Sequence, residues 1–268
     1  MTFNKGPTFK PMTQEMFPTY RFLGIAVQPL TKADLLKTIE SIVLSNDHNC
    51  IIGNHNLHSL YLFHHDSDMR EFYEASTYTH ADGISLILLA KLFELPLRRI
   101  HRNTYLDWIE DFFAMAEQKS WRIYFLGGPP SMVDRVPARL HSQFPGLQVR
   151  CHQGFDAFDP DTEVWKEIEE FSPHVILAGM GMPIQERWIM QARSRVNTHL
   201  FLPCGAAIEY FLRIQRPPPR WIGQLGMEWL YRLITRPRKL FRRYLIEPLV
   251  LLPMVLRELT KDRADADK

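Results

Sequence analysis

Short apolar segments alternate with amphipathic segments along most of this chain. Between the apolar segments, apolar residues recur every three or four positions, as Leu35, Ile39 and Ile42 do after the predicted N-cap Thr31. Strands that alternate with helices are typical of a parallel sheet with right-handed crossovers. The pattern predicts an α/β fold, a Rossmann-like parallel sheet with helices on both faces. Its predicted strands are 21–27, 50–53, 78–81, 122–126, 148–151, 175–178 and 200–202.

Polar residues and glycines stand where several of these strands end. In a parallel sheet the carboxyl ends of the strands meet at one edge, which is where ligands of such folds bind. We therefore predict a binding site at that edge. Asn56 has a second interpretation as an Asx-turn residue, and Asp82 has one as a helix N-cap. The residues at these ends are Asn56, Asp82, Gly127, Gly128, Gly179, Gly181 and Gly205.

The segment 175–188 is the most informative part of the chain. A strand is followed by Gly179 and Gly181, and Pro183 then presets the first turn of a helix that carries Gln185 and Glu186. This geometry aims unpaired backbone N–H groups at an anion or a nucleotide. On the alternative interpretation, Gln185 and Glu186 are exposed first-turn residues that the helix dipole favours.

The composition of the chain changes after residue 215. A proline-rich linker at 216–220 precedes a basic segment with interleaved aromatic residues, and the almost wholly apolar segment 249–256 follows, interrupted by Pro253. This composition predicts a membrane-associating appendage that lies on an anionic membrane surface. A solvated helix face is the alternative interpretation of its arginines. Those arginines include Arg232, Arg238, Arg242 and Arg243.

With 268 residues the chain can form one α/β core and an appendage. Its 32 basic and 30 acidic side chains give a net charge of +2, which excludes a general nucleic-acid binder. We expect neither a signal peptide nor a spanning helix, because the N-terminus lacks an apolar core segment and no apolar run reaches about 20 residues. The expected divisions are an arm at 1–20, a core at 21–215, the appendage at 216–260 and a disordered tail at 261–268.

Four motifs resemble those of the WecG/TagA/CpsF glycosyltransferases of bacterial cell-surface polysaccharide synthesis, over about 51–244. The resemblance implies an inverting enzyme that moves a sugar from a nucleotide-activated donor, usually a UDP-sugar, to a polyprenyl-diphosphate-linked acceptor. It implies no metal or other cofactor. It also implies a cytoplasmic protein, peripheral on the inner face of the plasma membrane. The motifs are Ala81-Asp82-Gly83, Phe125-Leu126-Gly127-Gly128, Gly179-x-Gly181-x-Pro183-x-Gln185-Glu186-x-Trp188 and Gly226-Met227-Glu228-Trp229-Leu230-Tyr231-Arg232-Leu233.

The same resemblance implies roles for individual residues. Asp82 is the expected general base, which takes the proton from the acceptor hydroxyl. Gln185 and Asn54 are the other expected catalytic residues, Asn54 standing where the family usually has the threonine of Thr-x-Asn. Acceptor and membrane contacts are expected from the four arginines named above. The nucleotide sugar is expected at Asn56, Gly127, Gly128, Gly179, Gly181, Glu186, Gly205 and Glu209.

Several alternatives stay open. Asp66-Ser67-Asp68 and Asp159-Pro160-Asp161 match the metal-binding Asp-x-Asp of other glycosyltransferases, but neither pair directly follows a core strand, so we interpret both as structural. A Rossmann-type dinucleotide enzyme is the rival class, although no Gly-x-Gly-x-x-Gly opens a helix near the N-terminus. An inactive membrane-bound scaffold of the same family is a third reading. Self-association of the chain also stays open.

Overall fold

The computed structural model describes residues 17–154, 157–159, 162–213, 219, 222 and 226–266, so most of the predicted arm lies outside it. Its first elements are two short antiparallel strands, β1 (Tyr20–Phe22) and β2 (Ile25–Val27). Leu23 and Gly24 connect them and both have positive φ. The single strand predicted at 21–27 is therefore wrong, and the segment is a tight hairpin. The apolar pattern does not reveal this turn, because leucine rarely adopts positive φ.

Six parallel strands form the central sheet, in the order β4-β3-β8-β7-β5-β6. Every neighbouring pair in that order is parallel. The predicted parallel sheet is confirmed, and each predicted core strand lies within an observed one. The strands are β3 (Cys50–His55), β4 (Tyr78–Ala81), β5 (Arg122–Gly127), β6 (Gln148–His152), β7 (Val175–Gly179) and β8 (Leu200–Pro203).

The helices of the described residues cover both faces of this sheet. Their bounds are α1 (Lys32–Leu44), α2 (Leu57–His65), α3 (Ser67–Ala75), α4 (Ile84–Leu92), α5 (Tyr105–Gln118), α6 (Arg135–His141), α7 (Glu163–Phe171), α8 (Ile184–Ala192), α9 (Ala207–Phe211), α10 (Glu228–Thr235), α11 (Pro237–Phe241) and α12 (Glu247–Ala266). Two 3-10 turns, Arg99–His101 and Pro130–Met132, and one π turn, Arg242–Ile246, interrupt them.

Two hydrophobic clusters divide the core at the sheet. One cluster joins the sheet to α2, α3, α4, α7, α8 and α12 through residues such as Phe72, Ile87 and Trp188. The other joins it to α1, α5, α6 and α9 through residues such as Ile39 and Phe112. Because each cluster is buried between the sheet and its own helices, the predicted helices on both faces are confirmed.

The C-terminal segment is packed on the core. Leu251 and Val255 of α12 are buried in the same cluster as α2, and α12 contacts α2 directly. The helix continues through Pro253, so the interruption predicted there is wrong. It also runs to Ala266, into the tail predicted to be disordered. The described part of the C-terminal segment thus packs on the core, while its division at 216–260 as an appendage stays a prediction. None of the described helices is long and apolar enough to cross a bilayer.

The carboxyl ends of β5 and β7 form a switch point of the sheet. The two strands are neighbours, but the chain leaves β5 towards β6 on one side and β7 towards β8 on the other. Gly127 pairs with Gly179 at this end. A Cβ added to Gly127 would lie 2.6 Å from the carbonyl carbon of Gly179, so the close approach of the two strand ends requires glycine there. Crevices at such points are the usual ligand sites of open α/β sheets.

Candidate active site

Asp82 lies between the end of β4 and the start of α4. Its backbone N–H donates to the carbonyl of His55 at 2.7 Å, which ties it to the end of β3. The N-cap of α4 is Gly83, at φ +93°, and not Asp82. Instead, Oδ2 of Asp82 accepts from the side-chain amides of Asn54 at 3.3 Å and Asn56 at 3.4 Å. The carboxylate is thus free of the helix-capping role that the sequence left open.

The surroundings of Asp82 affect its basicity in two directions. Burial raises the pKa of the Asp82 carboxyl above its ordinary value, because desolvation disfavours the charged form. The positive charges of Arg232, Arg243 and Arg102 oppose this rise, as does the hydrogen bond from Asn56. In its ionised form, a carboxylate with a raised pKa is a stronger base than an exposed one.

Asn54 and Asn56 reach Asp82 from the end of β3. Asn56 is the N-cap of α2, where its side-chain oxygen accepts from the backbone of Ser59 at 3.0 Å. Asn56 is therefore a helix N-cap and not the Asx-turn residue of the alternative interpretation, because its side chain bonds three residues on, and its amide group still faces Asp82. Asn54 is buried, and its Oδ1 has no hydrogen-bond partner among the described residues. An unpaired buried carbonyl beside the carboxylate is an acceptor that a substrate hydroxyl could satisfy.

Gln185 connects the two glycine turns that follow β7 and β8. Its buried Oε1 accepts from the backbone N–H of Gly181 at 3.1 Å and from that of Gly205 at 3.0 Å. Its Nε2 donates to Glu186 Oε1 at 2.8 Å. The interpretation of Gln185 as an exposed first-turn residue is therefore wrong. These two N–H groups bond to Gln185, so in this structure they do not point free at an anion.

Glu186 is fully buried next to Gln185. Burial raises the pKa of its carboxyl to about 7, and Oε2 has no hydrogen-bond partner among the described residues. Glu186 does not line either cavity described below. Its contact with Gln185 indicates that Glu186 helps to hold the side chain that joins the two glycine turns, and the interpretation of Glu186 as an exposed first-turn residue is wrong.

The glycines predicted to contact the nucleotide sugar fall into two groups. Gly127, Gly128 and Gly179 are surrounded, since an added Cβ would lie within 2.6 Å of neighbouring atoms in each case. Gly181 and Gly205 are open, with no atom within 4 Å of an added Cβ, and both have positive φ. The open pair leaves space for a ligand beside its Cα atoms, although its N–H groups bond to Gln185, whereas Gly127 and Gly128 lie outside both cavities.

Two cavities meet at Asp82. The larger, about 560 Å³, extends over the ends of β3, β7 and β8 and includes Gly181, Gln185 and Glu209 in its wall. The smaller, about 340 Å³, lies between the start of α4 and the C-terminal helices, and its wall includes Trp229. Residues that line both cavities are Asn56, His58, Asp82, Thr104, Arg232, Arg243 and Tyr244. The carboxylate therefore faces two adjoining spaces of different character.

The predicted arginines do not all reach these cavities. Arg232 and Arg243 line both, and Arg242 lines the larger one. The guanidinium of Arg232 also lies over the ring of Tyr210, 5.1 Å from its centroid. Arg238 is exposed and lines neither cavity. The structure thus brings three of the four arginines to the site.

Several site residues escaped the sequence analysis. Arg102 lines the smaller cavity, and its guanidinium is held by Glu228 at 3.3 Å and by Asp107 at 2.9 Å. His58 lies 2.6 Å from a carboxylate oxygen of Glu247, which joins α2 to the start of α12. The only sequence signal for Arg102 was the basic loop before α5. No local pattern indicates the His58 contact, because its partner is 189 positions away.

The first Asp-x-Asp pair is structural, as predicted. Asp66 caps α3 and pairs with Arg187 of α8 at 2.8 Å, and Asp68 pairs with the same guanidinium at 2.8 Å. Of the second pair, Asp161 lies outside the described residues. Among the residues that are described, no three His, Cys, Asp or Glu side chains come together as a metal site. The independence from metal stays a prediction.

Comparison with known proteins identifies the family of this chain. Three Staphylococcus aureus proteins, from strains NCTC 8325 / PS 47, COL and MRSA252, are each 25% identical to the chain over 172 residues. Each is named N-acetylglucosaminyldiphosphoundecaprenol N-acetyl-beta-D-mannosaminyltransferase. The match covers 64% of this chain and 66% of each relative, just under two thirds. The profile of the glycosyl transferase WecG/TagA/CpsF family matches residues 20–265, nearly the whole chain. The chain therefore belongs to the WecG/TagA/CpsF family.

Proposed function

We propose that this protein is an inverting glycosyltransferase that moves a sugar from a UDP-sugar to a polyprenyl-diphosphate-linked acceptor. The observation that carries the proposal is the position of Asp82 at the junction of two cavities. A transferase must bring two substrates to one base, and Asp82 faces both spaces. The family and the names of the relatives support the reaction class. Those names also make N-acetylglucosaminyl-diphosphoundecaprenol the first acceptor, and N-acetylmannosamine the first sugar, to test.

The larger cavity suits the donor. Its wall holds Gly181 and Gly205, which leave open space where a side chain would stand, together with Glu209 and Arg242. The smaller cavity suits the acceptor, since Ile84, Trp229 and other apolar groups line it next to Arg102. A lipid diphosphate needs cations for its phosphates and apolar surface for its chain, and this combination supplies both.

The reaction follows from this arrangement in one displacement. Asp82 takes the proton of the acceptor hydroxyl while the hydroxyl oxygen attacks the anomeric carbon of the donor sugar. The new glycosidic bond forms as the bond from the anomeric carbon to the diphosphate oxygen breaks, and UDP leaves with the electron pair. Attack from the face opposite to the leaving group inverts the anomeric centre. Asn54 and Asn56 orient Asp82 through their side-chain amides.

The departing diphosphate gains negative charge that the site must stabilise. The strand–glycine–helix pattern predicts N–H groups that face an anion, but Gln185 already bonds the N–H groups of Gly181 and Gly205. Arg232 and Arg243, which line both cavities, are better placed to carry this role. Gln185 then acts as a positioning residue that fixes the two turns.

The proposed acceptor implies that the protein works at a membrane. A polyprenyl diphosphate is confined to the bilayer, so we infer a peripheral protein on the inner face of the plasma membrane. The exposed apolar side chains of the C-terminal helices, among them Phe241, Leu249 and Leu256, support contact with a bilayer, next to Arg242. This combination of charge and apolar surface is typical of segments that bind anionic membranes.

A thermal-shift series over UDP-sugars tests the donor, because a ligand that binds the folded state raises the melting temperature. The active donor should raise it by several degrees at saturation, and it should then yield product with a lipid-linked N-acetylglucosamine diphosphate acceptor. If no UDP-sugar shifts the melting temperature while NAD or NADP does, the rival dinucleotide enzyme is favoured. Donor binding without any turnover on lipid-linked acceptors would favour the inactive scaffold.

A further inference from the structure

An exposed apolar stripe runs along α4, outside the C-terminal arginine segment. Leu88 is 60% exposed and Leu92 is 52% exposed. Both lie on the helix face that continues from Ile84 at i, i+4 spacing, while Leu86 and Ile87 bury the other face. Apolar side chains grouped on successive turns form a patch, and such a patch indicates an interaction surface more than a single exposed leucine does.

Basic side chains extend this stripe. The 3-10 turn that follows contacts α4 and contributes Ile100, which is 62% exposed. Lys91, Arg98 and Arg99 are exposed as well, and among the described residues no carboxylate forms a salt bridge with them. Glu94 is the one acidic residue between positions 84 and 101. We call Leu88, Lys91, Leu92, Arg98, Arg99 and Ile100 the α4 patch.

The α4 patch is continuous with the smaller cavity. Ile84 and Ser85 line that cavity from the first turn of α4, on the helix that carries the patch. Trp229, Tyr244 and Pro248 line it from the C-terminal helices. Those helices expose apolar residues of their own, so apolar surface leads to the cavity from two separate parts of the chain. The exposed residues there include Leu245, Leu249, Leu252 and Leu256.

We propose that the α4 patch is a second membrane-docking surface, which seats on an anionic phospholipid bilayer beside the C-terminal helices. The leucines enter the interfacial layer, and the unpaired cations contact anionic headgroups, so the patch supplies both signals of stable interfacial binding. The inference rests on the proposed function, because a lipid-borne acceptor gives the cavity a reason to face the bilayer. Two contacts would hold the cavity mouth at a fixed height over the membrane.

Sedimentation with vesicles of phosphatidylglycerol and phosphatidylcholine tests this surface in the full-length protein. The variant Arg98→Gln/Arg99→Gln should partition on the order of tenfold more weakly than the native protein, with the difference shrinking at high salt. The variant Leu88→Ser/Leu92→Ser should also bind more weakly, with little dependence on salt. Vesicles of phosphatidylcholine alone should bind all forms weakly.

Matched controls lie on the other face of the sheet. Arg135 and Arg139 of α6 are exposed, so Arg135→Gln/Arg139→Gln removes the same charge elsewhere. Leu44, at the end of α1, is the apolar control through Leu44→Ser. Both controls should bind vesicles like the native protein. Equal losses in the charge control and in Arg98→Gln/Arg99→Gln would mean a net-charge effect, and the proposal would be overturned.

A site-specific label guards against misfolded variants. All three cysteines are free, and Cys151 is the half-buried one, so a Cys151→Ser background limits labelling to an introduced thiol. An environment-sensitive dye on Leu92→Cys should shift to shorter wavelength when anionic vesicles are added, and one on Leu44→Cys should not. If neither position responds, the bilayer does not contact the α4 patch and the proposal is wrong.

Two further outcomes separate this inference from its premises. Should the native protein bind UDP-sugars and turn over lipid acceptor while the patch variants keep full vesicle binding, the docking surface fails and the proposed function stands. Should no donor or acceptor react while the patch variants still lose vesicle binding, the function fails and the surface stands. Sedimentation velocity without vesicles measures the oligomeric state of each variant. A patch variant that only turns an oligomer into a monomer would assign the surface to a second copy, and would overturn the membrane proposal.

Discussion

Replacing Asp82 with asparagine isolates its role as a base. The substitution keeps the shape of the side chain and one oxygen to accept from Asn54 and Asn56, but it removes the charge and the proton acceptor. Loss of a general base typically lowers turnover by about 10²–10⁴-fold, which corresponds to roughly 3–5 kcal/mol of transition-state stabilisation. Donor binding in the larger cavity should persist, since the backbone around Gly181 does not change. We therefore expect a large fall in kcat with little change in donor affinity.

The same substitution should stabilise the folded protein at neutral pH. Burial raises the pKa of Asp82 in the folded state above the ordinary 3.8, so the stability contribution of this group is complete below about pH 3.8 and is lost as the pH rises through the raised pKa. The side chain of asparagine does not ionise, so the variant does not lose this stability as the pH rises. The melting temperature of Asp82→Asn should exceed that of the native protein at pH 8, and the difference should disappear on approach to pH 4.

Two measurements test the predicted effects of Asp82→Asn on turnover and on stability. Turnover is followed with a UDP-sugar and a lipid-linked acceptor, and melting temperature is followed from pH 4 to pH 8, with Asp111→Asn as the control. Asp111 is a half-exposed carboxylate on α5 that pairs with Lys32 and lies outside both cavities. Near-native turnover of Asp82→Asn would falsify its assignment as the base. A lower melting temperature than native at pH 8 would show that the carboxylate is stabilised by its arginines and not strained by burial.

Other perturbations test the glycine turns, the buried carboxyl of Glu186 and the predicted independence from metal. Gly181→Ala should weaken donor binding and cost roughly 1–2 kcal/mol of stability, because alanine is strained at this positive φ. Gly24→Ala, at a similar positive φ, should cost the same stability and leave donor binding intact. Equal donor binding by the two variants would show that the donor does not contact the turn at Gly181. Gln185→Ala should lower stability by about 1–3 kcal/mol through two unpaired N–H groups, and Gln191→Ala on the same helix should not. The pKa of Glu186 is raised from 4.5 to about 7, so the native protein should lose roughly 3 kcal/mol of its free energy of unfolding as the pH rises through this range. Glu186→Gln should not show this loss, because glutamine does not titrate. Calorimetry of donor binding should give the same affinity with EDTA and with Mg²⁺, and a strong dependence on the ion would contradict the structural reading of the acidic pairs.

Much of the fold follows from local pattern. Apolar runs such as 175–178 predict buried strands because a parallel strand with helices on both faces must be apolar throughout. The positions of Asp82 and Gly181 follow too, since carboxyl ends of parallel strands share one edge. The hairpin at Leu23 and the helix through Pro253 do not follow, because both oppose the usual preference of the residue at that position.

The roles of side chains depend on distant partners, and there the sequence is a weaker guide. Gln185 looks like an exposed first-turn residue until Gly205, which lies on another strand end, is brought next to it. His58 gains its partner Glu247 only when the last helix packs on α2. Family resemblance identified Gln185 as important, but only the folded arrangement indicates that it positions the turns.

The π turn between α11 and α12 has a consequence for engineering. It lies where the chain passes from Arg243, in the cavity walls, to Glu247, which pairs with His58. An extra residue in one turn sets the rotation between these two groups, so deleting one residue there would turn α12 by about 100° relative to Arg243. Exchanging the C-terminal segment for that of a relative, as a route to a new acceptor, would succeed only if the π turn and the α2 surface under Leu251 and Val255 were transferred with it.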